Sequence, residues 1–217
     1  MTQDEKKRRA ARAALGQIEP GLLIGVGTGS TTNHFIDALA EVREKVRGAV
    51  ASSRATATRL AAAGIPLVEL ADAGRLPLYV DGADEATRRR ELIKGGGGAL
   101  TREKILAQAS ERFVCIVDDA KIVAHLGRFP LPVEVLPCAL RLVASELEKL
   151  GGRAVERLGF VTDNGNAILD VHGLPLGDPR AMEEEINQIP GVVTNGLFCR
   201  RPADRLLVGT EDGVEEI

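Results

Sequence analysis

Leu22-Leu-Ile-Gly25-Val-Gly-Thr-Gly-Ser-Thr31 joins a short apolar run to a turn rich in glycine and hydroxyls. The run is bounded on its amino side by Pro20-Gly21 and has the make-up of a buried strand. Beyond the turn, Thr31 to Ala40 places Phe35, Ile36 and Leu39 on one helical face, and Gly48-Ala-Val-Ala51 begins a second apolar run. Strand, glycine turn, helix and strand in that order specify parallel α/β winding, in which ligands meet the carboxyl ends of the strands.

The same grammar extends in both directions. Residues 3 to 15 read as a helix, residues 54 to 63 as an alanine-rich helix, Pro66 to Leu70 as a third short strand, and Leu76 to Val80 as a fourth that runs straight into Asp81. Leu100 to Ser110 is helical, and the apolar strand Phe113 to Val117 leads into Asp118-Asp-Ala-Lys121. From about residue 130 the pattern changes to α+β. Pro130 to Pro137 reads as an edge-like strand bracketed by prolines. A helix with Leu140, Val143, Leu147 and Leu150 on one face follows, then a hairpin around Asp163-Asn-Gly-Asn166, a helix capped by Asp178, and a strand from Val192 to Phe198. The expected fold is α/β: a Rossmann-like parallel-sheet domain of residues 1–129 plus 201–217, with a second, smaller α+β domain at 130–200.

Composition narrows the chemistry. With 28 basic against 31 acidic residues and 3% aromatics, there is no electrostatic or stacking case for nucleic acid. Cys115, Cys138 and Cys199 are odd in number and widely spaced, so neither a disulfide framework nor a zinc site is indicated. The charged start leads into no apolar leader, and no stretch approaches the roughly 18 apolar residues of a membrane span. A soluble protein of the reducing cytoplasm is expected.

Gly25-x-Gly27-x-Gly29 after a strand invites a dinucleotide reading, which requires G-x-G-x-x-G and an acidic residue about 20 positions on. The third glycine comes one position early, and Ser52 and Ser53 stand where the carboxylate belongs. Two readings of the segment stand. Backbone amides around Gly29, with the hydroxyls of Thr28, Ser30 and Thr31, suit a phosphate monoester at a helix start. Equally, the glycines form a tight turn and Ser30 or Thr31 is an N-cap.

Asp81-Gly82-Ala83-Asp84 follows a strand as turn former or as paired carboxylates. Lys94 precedes Gly95, Gly96, Gly97 and Gly98; four consecutive glycines carry an entropic cost unless the backbone must approach something closely, and a ligand fits. Glu103 lies in the helix that opens after them. Carboxylates, an ammonium and bare amides are the equipment for moving protons on a carbonyl compound without metal or nucleotide cofactor.

Taken together, Gly25 to Thr31, Asp81-Gly-Ala-Asp-Glu85, Lys94 to Lys104, Phe129-Pro-Leu-Pro-Val-Glu134, Val161-Thr-Asp-Asn-Gly-Asn166 and Ile189-Pro-Gly-Val-Val193 resemble ribose-5-phosphate isomerases of the A type across essentially the whole chain. The resemblance implies a cofactor-free and metal-free aldose–ketose isomerase of the pentose phosphate pathway, working as a homodimer or homotetramer on ribose 5-phosphate and ribulose 5-phosphate. It places the general base on Glu103, with Asp81, Asp84 and Lys94 around the reacting carbons. It assigns substrate binding to Thr28 through Thr31, Asp81 through Asp84, Lys94 through Gly97 and Lys121. Lys7 matches a lysine near the phosphate, and a solvated helix face is the equal alternative there. Gly98, often alanine in the family, and the basic Arg88-Arg-Arg90 depart from the common pattern. His34, His125 and His172 read as structural or surface residues. A non-catalytic sugar-phosphate sensor would use the same phosphate nest without needing Glu103, Asp81 and Lys94 together. A coenzyme A transferase of similar fold would be expected to carry a longer chain.

Overall fold

A computed structural model describes residues 1–217. In chain order its elements are α1 Gln3–Ala14, β1 Leu22–Val26, α2 Ser30–Ala40, β2 Val46–Ala51, α3 Arg54–Ala62, α4 Leu70–Ala73, β3 Leu76–Asp81, β4 Glu85–Ala86 and β5 Leu92–Ile93. They continue as α5 Leu100–Ala109, β6 Ser110–Asp118, β7 Leu131–Val135, α6 Leu140–Lys149, β8 Arg153–Glu156 and β9 Ala167–His172. The last are α7 Pro179–Asn187, β10 Val192–Asn195, β11 Leu197–Phe198, β12 Arg205–Gly209 and β13 Val214–Glu216.

Two compact units divide the chain. The first comprises Met1–Ala83, Arg102–Ile122 and Ala203–Ile217; the second comprises Asp84–Thr101 and Val123–Pro202. Residues 84–101 and 123–129 thus cluster with the second unit, whereas the sequence pattern sets the boundary at 130. For the first segment the reason is that β4 and β5, two residues each, are too short to show a period, yet β5 pairs with β11 and β4 with β5 in a three-stranded sheet.

In the first unit a six-stranded sheet runs in the order β13-β12-β6-β3-β1-β2, and every neighbouring pair is parallel except the terminal β13. Alternate residues Ile24 and Val26, Leu78 and Val80, and Val114 and Ile116 enter one core with Phe35, Ile36 and Leu39 of α2. Ala10, Ala11 and Ala14 of α1 are fully buried there, their small side chains letting that helix lie close. Thr2 and Glu5 close a capping box at the start of α1, satisfying amides that the helix itself leaves unpaired. Truncating a fully buried anchor such as Phe35 to alanine costs about 3–5 kcal/mol on the usual scale for core phenylalanines.

The stretch Pro66 to Leu70 is not a strand. It touches β2 through the single parallel bridge Ala49↔Leu67, with hydrogen bonds from the Ala49 amide to the Pro66 carbonyl at 2.8 Å and from the Val68 amide to the Ala49 carbonyl at 3.0 Å. Leu70 already belongs to α4, so the ladder ends after one repeat.

The second unit contains the antiparallel sheet β10-β7-β9-β8. Contrary to the edge-like reading of Pro130 to Pro137, β7 is interior and buried along its whole length. Pro132 is accommodated because it lies beyond the last β10 partner, Asn195↔Val133, and its carbonyl still accepts the Gly196 amide at 2.8 Å. Gly196 also breaks the expected strand Val192 to Phe198 into β10 and β11. A Cβ there would lie 2.2 Å from the Lys94 carbonyl oxygen. Val133, Val135, Leu169 and Val171 pack with Val143, Leu147 and Ile186 of the two helices, the sheet supplying alternate residues and the helices one face each.

Candidate active site

Because β1, β3, β6 and β12 are parallel, the segments that follow them in the first unit emerge at one edge of the sheet. Asp81, at the end of β3, is fully buried. Its Oδ1 accepts the Thr28 amide at 3.0 Å, the Gly82 amide at 2.7 Å and the Thr32 hydroxyl at 3.3 Å, and its Oδ2 accepts the Tyr79 hydroxyl. Gly25 pairs with Tyr79 in the parallel register of β1 and β3. A Cβ at Gly25 would meet the Tyr79 ring at 2.8 Å, and one at Gly27 would lie 1.8 Å from Asp81 Cγ. Gly25 on β1 and Gly27, the residue just after it, therefore clear one face for two side chains that are two apart on β3. Only Gly29, at φ +136°, bends the turn in a conformation that favours glycine.

Thr28 is engaged within the protein at both its amide and its hydroxyl, the latter with Ser52 at 2.7 Å, Ser53 at 2.8 Å and Thr56 at 3.0 Å. Ser30 and Thr31 begin α2, which has no side-chain cap. The amides of its first turn have no intrahelical acceptors and carry the positive end of the helix dipole. Lys7 of α1 reaches the same place, its Nζ 3.1 Å from Ser30 Oγ. The neighbouring Lys6 is spent otherwise, on Asp119 at 2.7 Å, and that hydrogen bond raises its pKa. Asp119 and Lys121 form the short turn after β6 at this sheet edge. Glu103, in the first turn of α5, is buried at 3% exposure.

In the second unit Lys94 is also buried, with its Nζ 5.5 Å from the centre of the Phe198 ring and its amide bonded to the Gly196 carbonyl at 2.9 Å. Asp84 is half-buried, and its Oδ2 accepts the Gly96 amide at 2.8 Å. A Cβ at Gly96 would stand 2.6 Å from Asp84 Oδ1, so that hydrogen bond depends on glycine. Gly95 and Gly98 have φ of +104° and +76° and are buried, whereas Gly96 and Gly97 are exposed. The Phe160 ring fills the space of a Gly98 side chain, 2.2 Å from where its Cβ would be. With φ at +76° and the ring in place, any side chain at Gly98 would be strained and would have to displace Phe160. Arg88, Arg89 and Arg90 are exposed, and the three do not enter a core. His34 bonds Asp4 at 2.7 Å and lowers the aspartate's pKa.

Residues 48–213 match the family ribose 5-phosphate isomerase A (phosphoriboisomerase A). The chain belongs to this family. Its fold superposes on ribose 5-phosphate isomerase A from Neisseria gonorrhoeae with a TM-score of 0.98 and 49% identity, over all of this chain and 97% of that one. The enzyme from Methanocaldococcus jannaschii is 40% identical at a TM-score of 0.93, covering all of this chain and 99% of that one. A D-ribose-5-phosphate isomerase in complex with phospho-erythronic acid is 38% identical at 0.95, again over all of this chain and 99% of its own. The A-type isomerase fold, a mixed α/β structure with a largely parallel central sheet, is therefore shared along the whole chain.

Three residues beside these segments escape a motif reading. Tyr79, fully buried, hydrogen-bonds Asp81, and its place two residues earlier on the same strand is the signal that marks it. Burial foremost, and then the charges of Asp81 and Glu103, push its pKa well above the ordinary phenol value. Glu134 of β7 is fully buried and accepts from the Thr162 hydroxyl at 2.9 Å, the Asn164 and Asn166 amides at 3.1 and 2.8 Å, and the Thr101 hydroxyl in the first turn of α5. A glutamate between two valines inside an apolar strand is its signal. Arg157 bonds the backbone of the glycine loop, and nothing local in sequence announces that.

Proposed function

We propose that this chain interconverts D-ribose 5-phosphate and D-ribulose 5-phosphate, with Glu103 as the base that carries a proton between C2 and C1. The observation that bears most weight is Glu103 itself: a carboxylate 3% exposed, in the first turn of the helix that follows the four glycines.

With the sugar in its open aldehyde form, Glu103 takes the proton from C2, and the electron pair moves to give an enediolate with the negative charge on O1. The same glutamic acid returns the proton to C1. Meanwhile the hydroxyl proton on O2 leaves and one arrives on O1, so a ketose results with no net gain or loss. Lys94 and the exposed amides of the glycine loop stabilise the oxyanion. Asp84, half-exposed, shuttles the protons of the oxygens and assists opening of the furanose ring. Asp81 holds the turn of the first unit in shape through its bonds to Thr28, Gly82, Thr32 and Tyr79.

The phosphate is proposed to sit against the first turn of α2, with Ser30, Thr31, Lys7 and Lys121 as its partners; the Lys7–Ser30 contact supports this placement. No group of three or more His, Cys, Asp or Glu side chains is arranged to hold a metal ion. The chemistry above needs none. We further propose a cytoplasmic homodimer or homotetramer, as the resemblance implies, for which the exposed Leu158 and Val161 offer apolar surface to a second copy. No helix is long and apolar enough to cross a membrane. Neither the sensor nor the transferase reading gains support from the related structures.

The test is ketose formation from ribose 5-phosphate by purified protein dialysed exhaustively against a chelator. Full turnover is expected. Absence of turnover, or turnover only after a divalent ion is restored, would contradict the assignment.

A further inference from the structure

Arg157, in the connection between β8 and β9, donates four hydrogen bonds. Its Nε and Nη2 grip Asp170 at 2.9 and 2.5 Å, a bidentate pair that fixes the plane of the guanidinium. Its Nη1 reaches the carbonyl oxygens of Gly95 at 3.3 Å and Gly96 at 3.0 Å. The Phe160 ring, which packs on Gly98, lies 5.4 Å from the guanidinium carbon. Arginine and phenylalanine thus bear together on a loop of four residues that have no side chains of their own to hold it.

A trans peptide points its C=O and N–H to opposite sides. Where the Gly95 carbonyl turns to Arg157, the Gly96 amide must turn away, and it does so, meeting Asp84 Oδ2 at 2.8 Å. The same rule applies to the next peptide. With the Gly96 carbonyl on Arg157, the Gly97 N–H faces away from the arginine on an exposed stretch of backbone. The Gly95 carbonyl also accepts the Gly98 amide at 2.9 Å, which closes the loop as a turn, and Asp84 holds the Gly96 amide. The next peptide, whose plane glycine leaves free to rotate, is held at the Gly96 carbonyl by Arg157.

We propose that Arg157, oriented by Asp170, is a positioning residue that sets the Gly97 amide as an oxyanion donor for the enediolate. This rests on the isomerase reading and adds to it the device that aims the loop. A lysine at 157 keeps the charge but lacks the fork that holds two carbonyls and a carboxylate at once.

The test is steady-state kinetics of the full chain on ribose 5-phosphate for Arg157→Lys, Arg157→Ala and Asp170→Asn. In Arg157→Ala, kcat should fall by about a hundredfold, the scale of a misplaced catalytic group, with KM changed far less. Millimolar guanidinium should restore part of the lost kcat without moving the thermal midpoint. Arg157→Lys should fall between the alanine variant and the parent. Asp170→Asn, which keeps the arginine, should show a smaller kcat loss and covers the case in which Arg157→Ala does not fold. Parental kcat in folded Arg157→Lys and Asp170→Asn would overturn the inference, as would a loss in Arg157→Ala that guanidinium leaves untouched. Those results leave the isomerase reading intact. An inactive parent protein would instead sink that reading itself.

Discussion

Gly27 and Asp81 occupy one volume: a Cβ on the glycine would fall 1.8 Å from the carboxyl carbon of the aspartate. The glycine of the first turn is therefore the receptacle of a carboxylate that arrives from another strand. Gly27→Ala must displace Asp81 and with it the bonds to Thr28, Gly82, Thr32 and Tyr79. We expect a destabilisation of about 1–3 kcal/mol, the range for overfilling a packed site, read from the urea midpoint. A fall in kcat should accompany it. An alanine variant with parental midpoint and turnover would show that the turn relaxes without Asp81.

Tyr79 is the only tyrosine, and there is no tryptophan, so the tyrosinate band in the near ultraviolet reports this residue alone. Its pKa is raised in the fold from a starting value of 10.0. The unfolded chain then loses the phenol proton before the folded one does. Hence the contribution of this group to stability is whole below pH 10 and is lost as pH rises from there toward the folded pKa. In urea the band should titrate in the ordinary phenol range, and in native buffer it should appear only as the protein unfolds. Titration of the native protein at the ordinary value, with structure retained, would contradict the burial of Tyr79 beside Asp81.

Glu134 gathers four neutral donors on one buried carboxylate. Glu134→Leu leaves the Thr162 hydroxyl, itself buried, without its acceptor. We expect a loss of at least about 1–3 kcal/mol, the cost of one unsatisfied buried group, measured by chemical denaturation. Thr101→Val, which removes a single donor, should cost less. Equal stability of Glu134→Leu and the parent would mean that the network is not formed in solution.

Much of this was legible in the sequence because its signals are local. An apolar run, a glycine turn and a helical stripe announce β1 and α2, and Asp81 closes an apolar strand while Glu103 lies in the helix that opens after the glycine run. What stayed hidden depends on pairing at a distance. Gly25 and Gly27 look like half of a nucleotide fingerprint until the register of β1 with β3 shows that they make room for Tyr79 and Asp81. The prolines in and around β7 suggest an edge, and only the end of the β10 ladder explains how Pro132 is tolerated inside a sheet. Arg157 lies 61 residues from the carbonyl of Gly96 that it holds, and no periodicity spans such a gap. Two-residue strands such as β4 and β5 carry too little pattern to assign to either unit.

The central claim is that one carboxylate, Glu103, moves the proton between C2 and C1. Exchange of the C2 hydrogen of ribose 5-phosphate with deuterated solvent, followed by NMR in Glu103→Gln and in the parent protein, tests it most directly, because the amide keeps the shape of the side chain and removes its basicity. With folding and binding of a ribose 5-phosphate analogue retained, exchange and kcat should fall together by roughly two orders of magnitude or more, the scale of a positioned base. Exchange and turnover near the parental rate in a correctly folded Glu103→Gln would contradict the account and transfer the proton to Asp81 or Asp84.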